Sequence, residues 1–369
     1  MFKKIGIVTG GGDAPGLNAV IRAVVRTANR QFGMRVIGIE DSFEGLIGAT
    51  MMRELTTFDV SGLLPRGGTV LGTRNKGQFC EHTPNGMVFP EKPITEAIAS
   101  MEKHGIEALV VLGGEGTLAI AEQFHLRGIP VIGVPKTIDN DLASTELTFG
   151  FMTAIDIATE ALDRLHTTAE SHDRVMILEV MGRDTGWIAL HSGLAGSADV
   201  ILIPEIPFVM ERILEKIRAR DDSGSRFTNI VVAEGAKEMG GGGAHYLDSG
   251  DLNRAKRLGG IGDYIRHQVE NTTGKEARCV VLGHLQRGGT PNSFDRMLAT
   301  NFGACAVRAL AEGKHGCMVA LQSAGVITVP LSEAIVNVKC VAPNGQIVRT
   351  ARDIGISFAA ADEPAFMKQ

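Results

Sequence analysis

The chain has 369 residues, 44% hydrophobic and 21% charged, the balance of a globular protein rather than of a disordered or membrane-embedded one. That length exceeds the usual single-domain range, so two domains with ample core are expected. A net charge of −5 gives no support to nucleic-acid binding or to attraction by an anionic membrane, so basic groups must be concentrated locally if the ligands carry phosphate.

From the N-terminus, Met-Phe-Lys-Lys runs directly into an apolar strand, with no signal-peptide core before it. Strands are predicted at Ile5–Thr9, Arg35–Ile39, Ala108–Leu112, Val131–Val134, Val175–Val180, Val200–Ile203, Ile230–Ala233 and Ala277–Leu282. Helices are predicted at Gly16–Gln31, Pro93–His104, Thr117–Arg127, Phe151–Thr168, Val209–Arg220, Leu252–Thr273 and Ser293–Glu312. β-Branched runs alternating with amphipathic segments are the pattern of parallel, helix-covered sheets, so the fold class is α/β. Phe149-Gly150 reads as a domain crossover, and Lys237–Asp251, with Gly240–Gly243 in a row, as a surface loop. Beyond about Lys339 the periodicity fades into a tail or clasp. Five scattered cysteines without a C-x-x-C pair fit reduced thiols, and no apolar run approaches the roughly 18 residues of a membrane span, so a cytoplasmic location is expected.

Chemistry concentrates where these strands end. Gly113-Gly114-Glu115-Gly116-Thr117 follows one apolar run and Pro135-Lys136-Thr137-Ile138-Asp139-Asn140-Asp141 follows the next. Open α/β sheets bind ligands outside the carboxyl ends of their strands, so both segments should line one crevice. Bare glycine amides suit phosphate, Glu115 suits Mg²⁺ together with phosphate oxygens, and a further carboxylate can take the proton of an attacking hydroxyl. Asp139 and Asp141 lie two apart and, in an extended segment, face the same side. Phosphoryl transfer is the chemistry this implies. Plainer readings stand beside it: Glu115 as a helix N-terminal acid, and Asp-Asn-Asp as an ordinary turn.

Gly10-Gly11-Gly12-Asp13-Ala14-Pro15-Gly16 adds an anion-binding turn after the first strand, without Walker A or Rossmann spacing. Arg66–Arg74 is a second, basic glycine turn, from which Arg74 or Lys76 can reach phosphate. Further on, Ser171-His172-Asp173-Arg174, Met181-Gly182-Arg183, Glu234, Arg278 and His284-Leu285-Gln286-Arg287 fall near strand ends. Four arginines and two histidines there suit a sugar phosphate, although each taken singly is equally a solvated surface charge.

Taken in order, these motifs resemble the 6-phosphofructokinases over roughly residues 1–330, and Val281-Leu-Gly-His-Leu-Gln-Arg-Gly-Gly-Thr-Pro291 is a specific match. Thr167–His172 and Gly186–Gly193 look like the mixed-substrate branch, which contains ATP and pyrophosphate users. The resemblance implies two Rossmann-like domains with the active site in the cleft between them. Residues 1–150 plus about 288–335 would bind the phosphoryl donor, 151–287 the sugar phosphate, and about 336–369 would form the tail. It also implies phosphorylation of fructose 6-phosphate to fructose 1,6-bisphosphate in glycolysis, with ATP as co-substrate and Mg²⁺ as cofactor. Asp139 would be the base, with Thr137, Arg183 and Asp141 as its catalytic companions. Gly12, Arg74, Gly114, Glu115, Gly116 and Thr117 would surround the nucleotide, with Glu115 toward the metal. Thr137, Ile138, Asp139, Met181, Gly182, Arg183, Glu234, His284, Leu285, Gln286 and Arg287 would hold the sugar phosphate. Arg174 and Arg278 would be lent by a neighbouring subunit of a homodimer or homotetramer.

Donor choice turns on two positions. ATP users of the family mostly carry aspartate where Glu115 stands and glycine where Lys136 stands, whereas pyrophosphate users carry lysine at 136 and aspartate at 116. Gly116 removes a carboxylate that would repel the α-phosphate of ATP, while Lys136 excludes neither donor, so ATP is favoured and pyrophosphate is the alternative. A glycine-rich NAD or lipid kinase is a more distant reading that would not need the downstream arginines. Of the family's effector site, Arg22, Arg26 and Arg226 match basic positions, but Thr57 and His166 replace arginines.

Overall fold

Six residues from Lys4 to Thr9 form β1, buried from Ile5 onward as a central strand must be. Helix α1 (Leu17–Phe32) starts at Gly16 (φ 111°) and stops at Gly33 (φ 64°), whose N–H caps the Ala28 carbonyl. Its buried Leu17, Val20, Ile21, Val24 and Ala28 repeat at helical spacing. Then come β2 (Arg35–Ile39), β3 (Met52–Leu55), a small hairpin of β4 (Glu81–Thr83) and β5 (Gly86–Val88), and α2 (Glu91–His104). They are followed by β6 (Ala108–Gly113), α3 (Glu115–Leu126), β7 (Val131–Pro135) and α4 (Phe151–His172).

This computed structural model describes residues 2–47, 51–74, 77–83, 86–241, 246–247, 257–323 and 325–363. They fall into two units, Met1–Thr153 with Arg287–Val338 and Ala154–Gln286 with Lys339–Gln369. The second unit holds β8 (Val175–Val180), α5 (Trp187–Ala195), β9 (Val200–Leu202), α6 (Met210–Asp222), β10 (Thr228–Ala233), the short pair β11 (Tyr246–Leu247) and β12 (Arg257–Leu258), α7 (Ile261–Thr273) and β13 (Ala277–Val281). The chain returns to the first unit through α8 (Ser293–Ala311), β14 (Cys317–Gln322), β15 (Gly325–Pro330) and α9 (Leu331–Ala334), and ends with α10 (Gln346–Asp353) in the second.

In the first unit seven strands run β15-β14-β7-β6-β1-β2-β3. The inner pairings are parallel, and the edge strands β15 and β3 are antiparallel. Ile7, Leu17, Val110, Val134 and Phe302 pack on one face, and Val8, Leu109, Val111, Leu118 and Phe124 on the other. The second unit has the all-parallel order β13-β8-β10-β9, with a core that includes Ile177, Leu202, Ile213, Val232 and Ile265. The α/β reading therefore holds, with mainly parallel sheets flanked by helices.

Some local expectations change. Helix α7 does not begin at Leu252: Gly259 (φ 136°) and Gly260 (φ 86°) interrupt it, and Arg257–Leu258 is extended. Leu252–Lys256, like Gly242-Gly243 of the surface loop, lies outside the described residues. The segment read as a tail contains α10, and Ser357 bridges Val200 at the edge of the second sheet. No described helix is long and apolar enough to cross a membrane, and the five cysteines are thiols outside any disulfide.

Candidate active site

Strands β1 and β6 are neighbours, and the chain leaves the carboxyl end of β1 in one direction, for β2, and that of β6 in the other, for β7. Such a reversal opens a crevice at the strand ends, and the two glycine turns meet there. Gly10 N–H donates to the Leu112 carbonyl (2.9 Å), Gly11 N–H to the Arg74 carbonyl (3.1 Å) and Lys136 N–H to the Gly113 carbonyl (3.0 Å). Thr73 Oγ1 closes the circle on the Gly11 carbonyl at 2.5 Å. A Cβ on Gly10 would come within 2.6 Å of the Thr117 side chain, and one on Gly12 within 2.9 Å of Arg287 Nη1. Close approach thus requires glycine at position 10, against buried Thr117, whereas at position 12 the tip of the Arg287 side chain would have to shift. Beyond Gly114, the first turn of α3 offers the amides of Glu115, Gly116 and Thr117, which have no intrahelical acceptor.

The same crevice holds the charged groups. Lys136 is buried (3% exposed) and its Nζ donates to the Gly12 carbonyl. Burial, and then the Arg287 charge, hold its pKa down to about 8 against the opposing pull of Asp139, Asp13 and Asp141. Asp139 is 3% exposed. Its N–H donates to Thr137 Oγ1 (3.0 Å), that hydroxyl lies 3.4 Å from Asp139 Oδ2, and Arg287 Nη2 stands 3.9 Å from the same oxygen. Arg287 Nη1 donates to the Asp13 carbonyl (3.2 Å), tying it to the first glycine turn.

Asp139 and Asp141 do not sit on one face of an extended strand. Asn140 adopts φ 52°, held by Thr148 N–H donating to its Oδ1 (3.1 Å) and by its Nδ2 donating to the Glu146 carbonyl (3.4 Å). Asp139 is consequently buried and Asp141 half-buried, although both still act on the Lys136 charge. Ile138 is fully buried, so only its backbone can meet a ligand. Arg74 lies beside the Gly11 turn, but its guanidinium is paired with Asp41 at 3.0 Å. Lys76 lies outside the described residues. Glu115 is half-buried and has no ion-pair partner among the described residues, and around the Cβ position of Gly116 there is open space.

The second sheet repeats the device. β8 is flanked by β10 and β13, and the turns leaving β8, β10 and β13 are cross-linked. Met181 N–H donates to Gln286 Oε1 (2.8 Å), Arg183 N–H to Glu234 Oε1 (3.1 Å) and Glu234 N–H to the Val180 carbonyl (2.8 Å). Gly182 (φ 149°) and Arg183 (φ 50°) turn the chain sharply, and Thr185 fastens the Gly182 carbonyl through its N–H (3.0 Å) and Oγ1 (3.2 Å). Positive φ at an arginine costs energy that this network must offset. Arg183, His284 and Leu285 are exposed. Gln286 is fully buried, so it serves as the pin under Met181 rather than as a group facing ligand.

Arg174 and Arg278 do not join this cluster within the chain. Arg174 precedes β8 and Arg278 pairs with Met176 near the start of that strand. Six residues of β8, at about 3.3 Å each, put roughly 20 Å between them and the Met181 turn. Both are paired with Glu276, Arg174 at 2.7 Å.

Sequence reading missed several supporting groups. Glu179, a carboxylate inside an apolar strand and 2% exposed, accepts from the N–H groups of Gly260 (3.1 Å) and Gly262 (2.8 Å) and anchors the start of α7. The break in its apolar run was the available signal. Buried Asp295 accepts from Thr153 N–H (2.8 Å) and Oγ1 (2.5 Å), and Asp13 and Asp41 steady Arg287 and Arg74. Nothing in sequence spacing marks these three.

Comparison with known proteins gives the same direction. The family model described as Phosphofructokinase matches residues 4–310. The ATP-dependent 6-phosphofructokinase of Chloroflexus aurantiacus is 57% identical over 356 residues, covering 96% of this chain and 98% of that protein. The pyrophosphate–fructose 6-phosphate 1-phosphotransferase of Amycolatopsis methanolica is 47% identical over 340 residues, covering 92% and 96%. Among solved structures, Pichia pastoris phosphofructokinase superposes with a TM-score of 0.78 at 32% identity over 96% of this chain, which spans 37% of that longer chain. With the match running from the first strand into α8 and more than half of all positions shared with a full-length relative, the chain belongs to the phosphofructokinase family.

Proposed function

We propose that this chain transfers the terminal phosphoryl group of ATP to the 1-hydroxyl of fructose 6-phosphate, giving fructose 1,6-bisphosphate and ADP. The observation that carries the reading is the Thr137–Asp139–Arg287 cluster, seated where two glycine turns meet at the β1/β6 reversal. A carboxylate there has the neighbours a general base needs: a hydroxyl at 3.4 Å and a guanidinium at 3.9 Å from its Oδ2. Asp139 takes the proton of the attacking 1-hydroxyl, and the resulting oxygen attacks the terminal phosphorus. Charge on the transferring group is met by Arg183, by the Thr137 hydroxyl and by Lys136. The amides of Gly12 and Gly114–Thr117 receive donor phosphates, with Arg74 alongside. The Met181–Arg183 turn, Glu234, His284 and Arg287 hold the sugar phosphate.

The donor set fits Mg²⁺, which takes few protein carboxylates and completes its shell with phosphate oxygens and water. Half-buried Glu115 and Asp141 would hold it, supplying neutralisation of donor phosphate charge. Among the described residues no group of three or more His, Cys, Asp or Glu forms a cage, and a metal arriving with its nucleotide needs none.

The working form is a homodimer or homotetramer in which Arg174 and Arg278 complete a neighbour's site. Their distance from the Met181 turn of their own chain supports this, as do the exposed Val280 (37%), Val281 (56%) and Leu285 (68%) on and beside edge strand β13. We place the enzyme in the cytoplasm, in glycolysis. Pyrophosphate as donor is the second reading, favoured by the buried Lys136 beside Gly12. Initial rates with fructose 6-phosphate and each donor decide: faster turnover with ATP is expected, and a higher kcat/KM with pyrophosphate overturns the donor choice.

A further inference from the structure

Three residues after β9, Glu205 places one carboxylate oxygen between two strands of chain that the mechanism treats as unrelated. Its Oε1 accepts from the N–H of Gly186 (3.1 Å) and from the N–H of Val341 (2.8 Å). Its Oε2 is buried against Gly186, where an added Cβ would lie 2.9 Å away, and has no hydrogen-bond partner among the described residues. A second tether runs parallel to the first: Trp187 Nε1 donates to the Lys339 carbonyl (2.7 Å), and Lys339 Nζ lies 5.7 Å from the indole centroid.

Both tethers grip the same short stretch. Gly186 follows Thr185, whose N–H and Oγ1 hold the Gly182 carbonyl and so support Arg183 at its positive φ. A continuous path of hydrogen bonds thus leads from Val341 through Glu205 to Gly186, and from Thr185 to the Arg183 turn. Farther along, the C-terminal segment is anchored where Ile201 N–H donates to the Ser357 carbonyl (2.8 Å) and Val209 N–H to the Ala359 carbonyl (2.8 Å). The segment has little freedom to shift its end of the path. The desolvated carboxylate of Glu205 has its pKa pushed up by burial, a cost a protein retains where the two accepted bonds matter.

We infer that Glu205 and Trp187 are positioning residues that clamp residues 339–341 of the C-terminal segment onto the Arg183 turn, so that this segment sets the geometry of the arginine facing the transferring phosphoryl group. The inference rests on the reading of Arg183 given above. A backbone displaced by a fraction of an ångström at such a group is costly in rate even where substrate binding survives.

Because Trp187 is the single tryptophan of the chain, its emission reports the clamp independently of activity. The experiment compares Glu205→Ala with Glu205→Gln in the full-length protein, measuring emission, melting temperature, kcat, and KM for both fructose 6-phosphate and ATP. Gln retains an acceptor oxygen at the Oε1 position and is expected to keep wild-type emission and kcat within about twofold. Ala is expected to red-shift Trp187 and lower kcat about tenfold, with KM for the donor unchanged. A red shift with unchanged kcat overturns the positioning role, and an unshifted emission in Ala overturns the clamp itself. Equal losses in Gln and Ala also overturn it, since the accepted bonds would not be the cause. Should Ala fail to fold, Trp187→Phe tests the other tether, with a loss of kcat of about threefold or more expected; an unchanged kcat overturns the inference. If wild type proves inactive toward fructose 6-phosphate with either donor, the functional reading falls, while the Ala and Gln emissions still decide on the clamp.

Discussion

Gly116→Asp tests the donor assignment most directly. Gly116 is the second residue of α3, and a Cβ there meets nothing within 4 Å. The substitution therefore introduces a charge without displacing protein atoms. An acid in the first turn of a helix is itself favourable by about 0.3–1 kcal/mol, and exchanging a helical glycine for aspartate adds only about 0.3 kcal/mol. Melting temperature should hold or rise. Against a donor phosphate about 6 Å away, at an effective dielectric of roughly 20–40, the new carboxylate costs about 1–3 kcal/mol. The apparent KM for ATP should then rise about 10- to 100-fold, measured by initial rates at saturating fructose 6-phosphate. Gly116→Ala, which adds bulk without charge, should stay within about threefold of wild type, and Lys136→Gly should cost less ATP activity than Gly116→Asp. A folded Gly116→Asp enzyme with wild-type ATP kinetics would refute the reasoning, and Lys136 would then be the residue that reports the donor.

Replacing Asp139 by Ser should lower kcat by roughly 10²–10⁴ while sugar-phosphate binding, followed by calorimetry, changes little; a variant keeping a tenth of wild-type turnover would exclude it as the base. Lys136 titrates at about 8 in the folded chain against 10.5 when unfolded, so the unfolded state binds more protons across that window and stability should rise with pH there. Melting curves between these values should show the rise in wild type and not in Lys136→Met. Inactive Asp139→Ser and Arg174→Ala chains, dissociated and reassembled together, should regain part of the activity; mixed oligomers without any recovery would count against a shared site.

Much of the first sheet was legible because its signals are local. A β-branched run that ends in glycine specifies a buried parallel strand and a turn able to approach a ligand, and this holds for Ala108–Gly113 and Val131–Pro135 wherever they lie. The junction of Gly114 with α3 follows from the same few residues. Local signals also fail locally. Asp139 and Asp141 share a face only if the backbone is extended, and Thr148 and Glu146, several residues on, hold Asn140 out of that conformation. The strands β14 and β15 and helix α10 were not anticipated.

Which distant groups meet was decided by tertiary structure alone. Spacing gave no means of knowing that Arg287 would stand against Asp139 and Asp13, since their proximity depends on the chain returning to the first unit. The same holds for Arg174, whose place before β8 was visible, but not its pairing with Glu276, which requires β13 to lie beside β8. Glu205 is the clearest case: its neighbours in sequence are ordinary loop residues, and its role exists only because Val341 folds back to within 2.8 Å of it. Hydrophobic periodicity records which face of an element is buried, whereas hydrogen bonds across long separations depend on strand order and crossovers that no local pattern encodes.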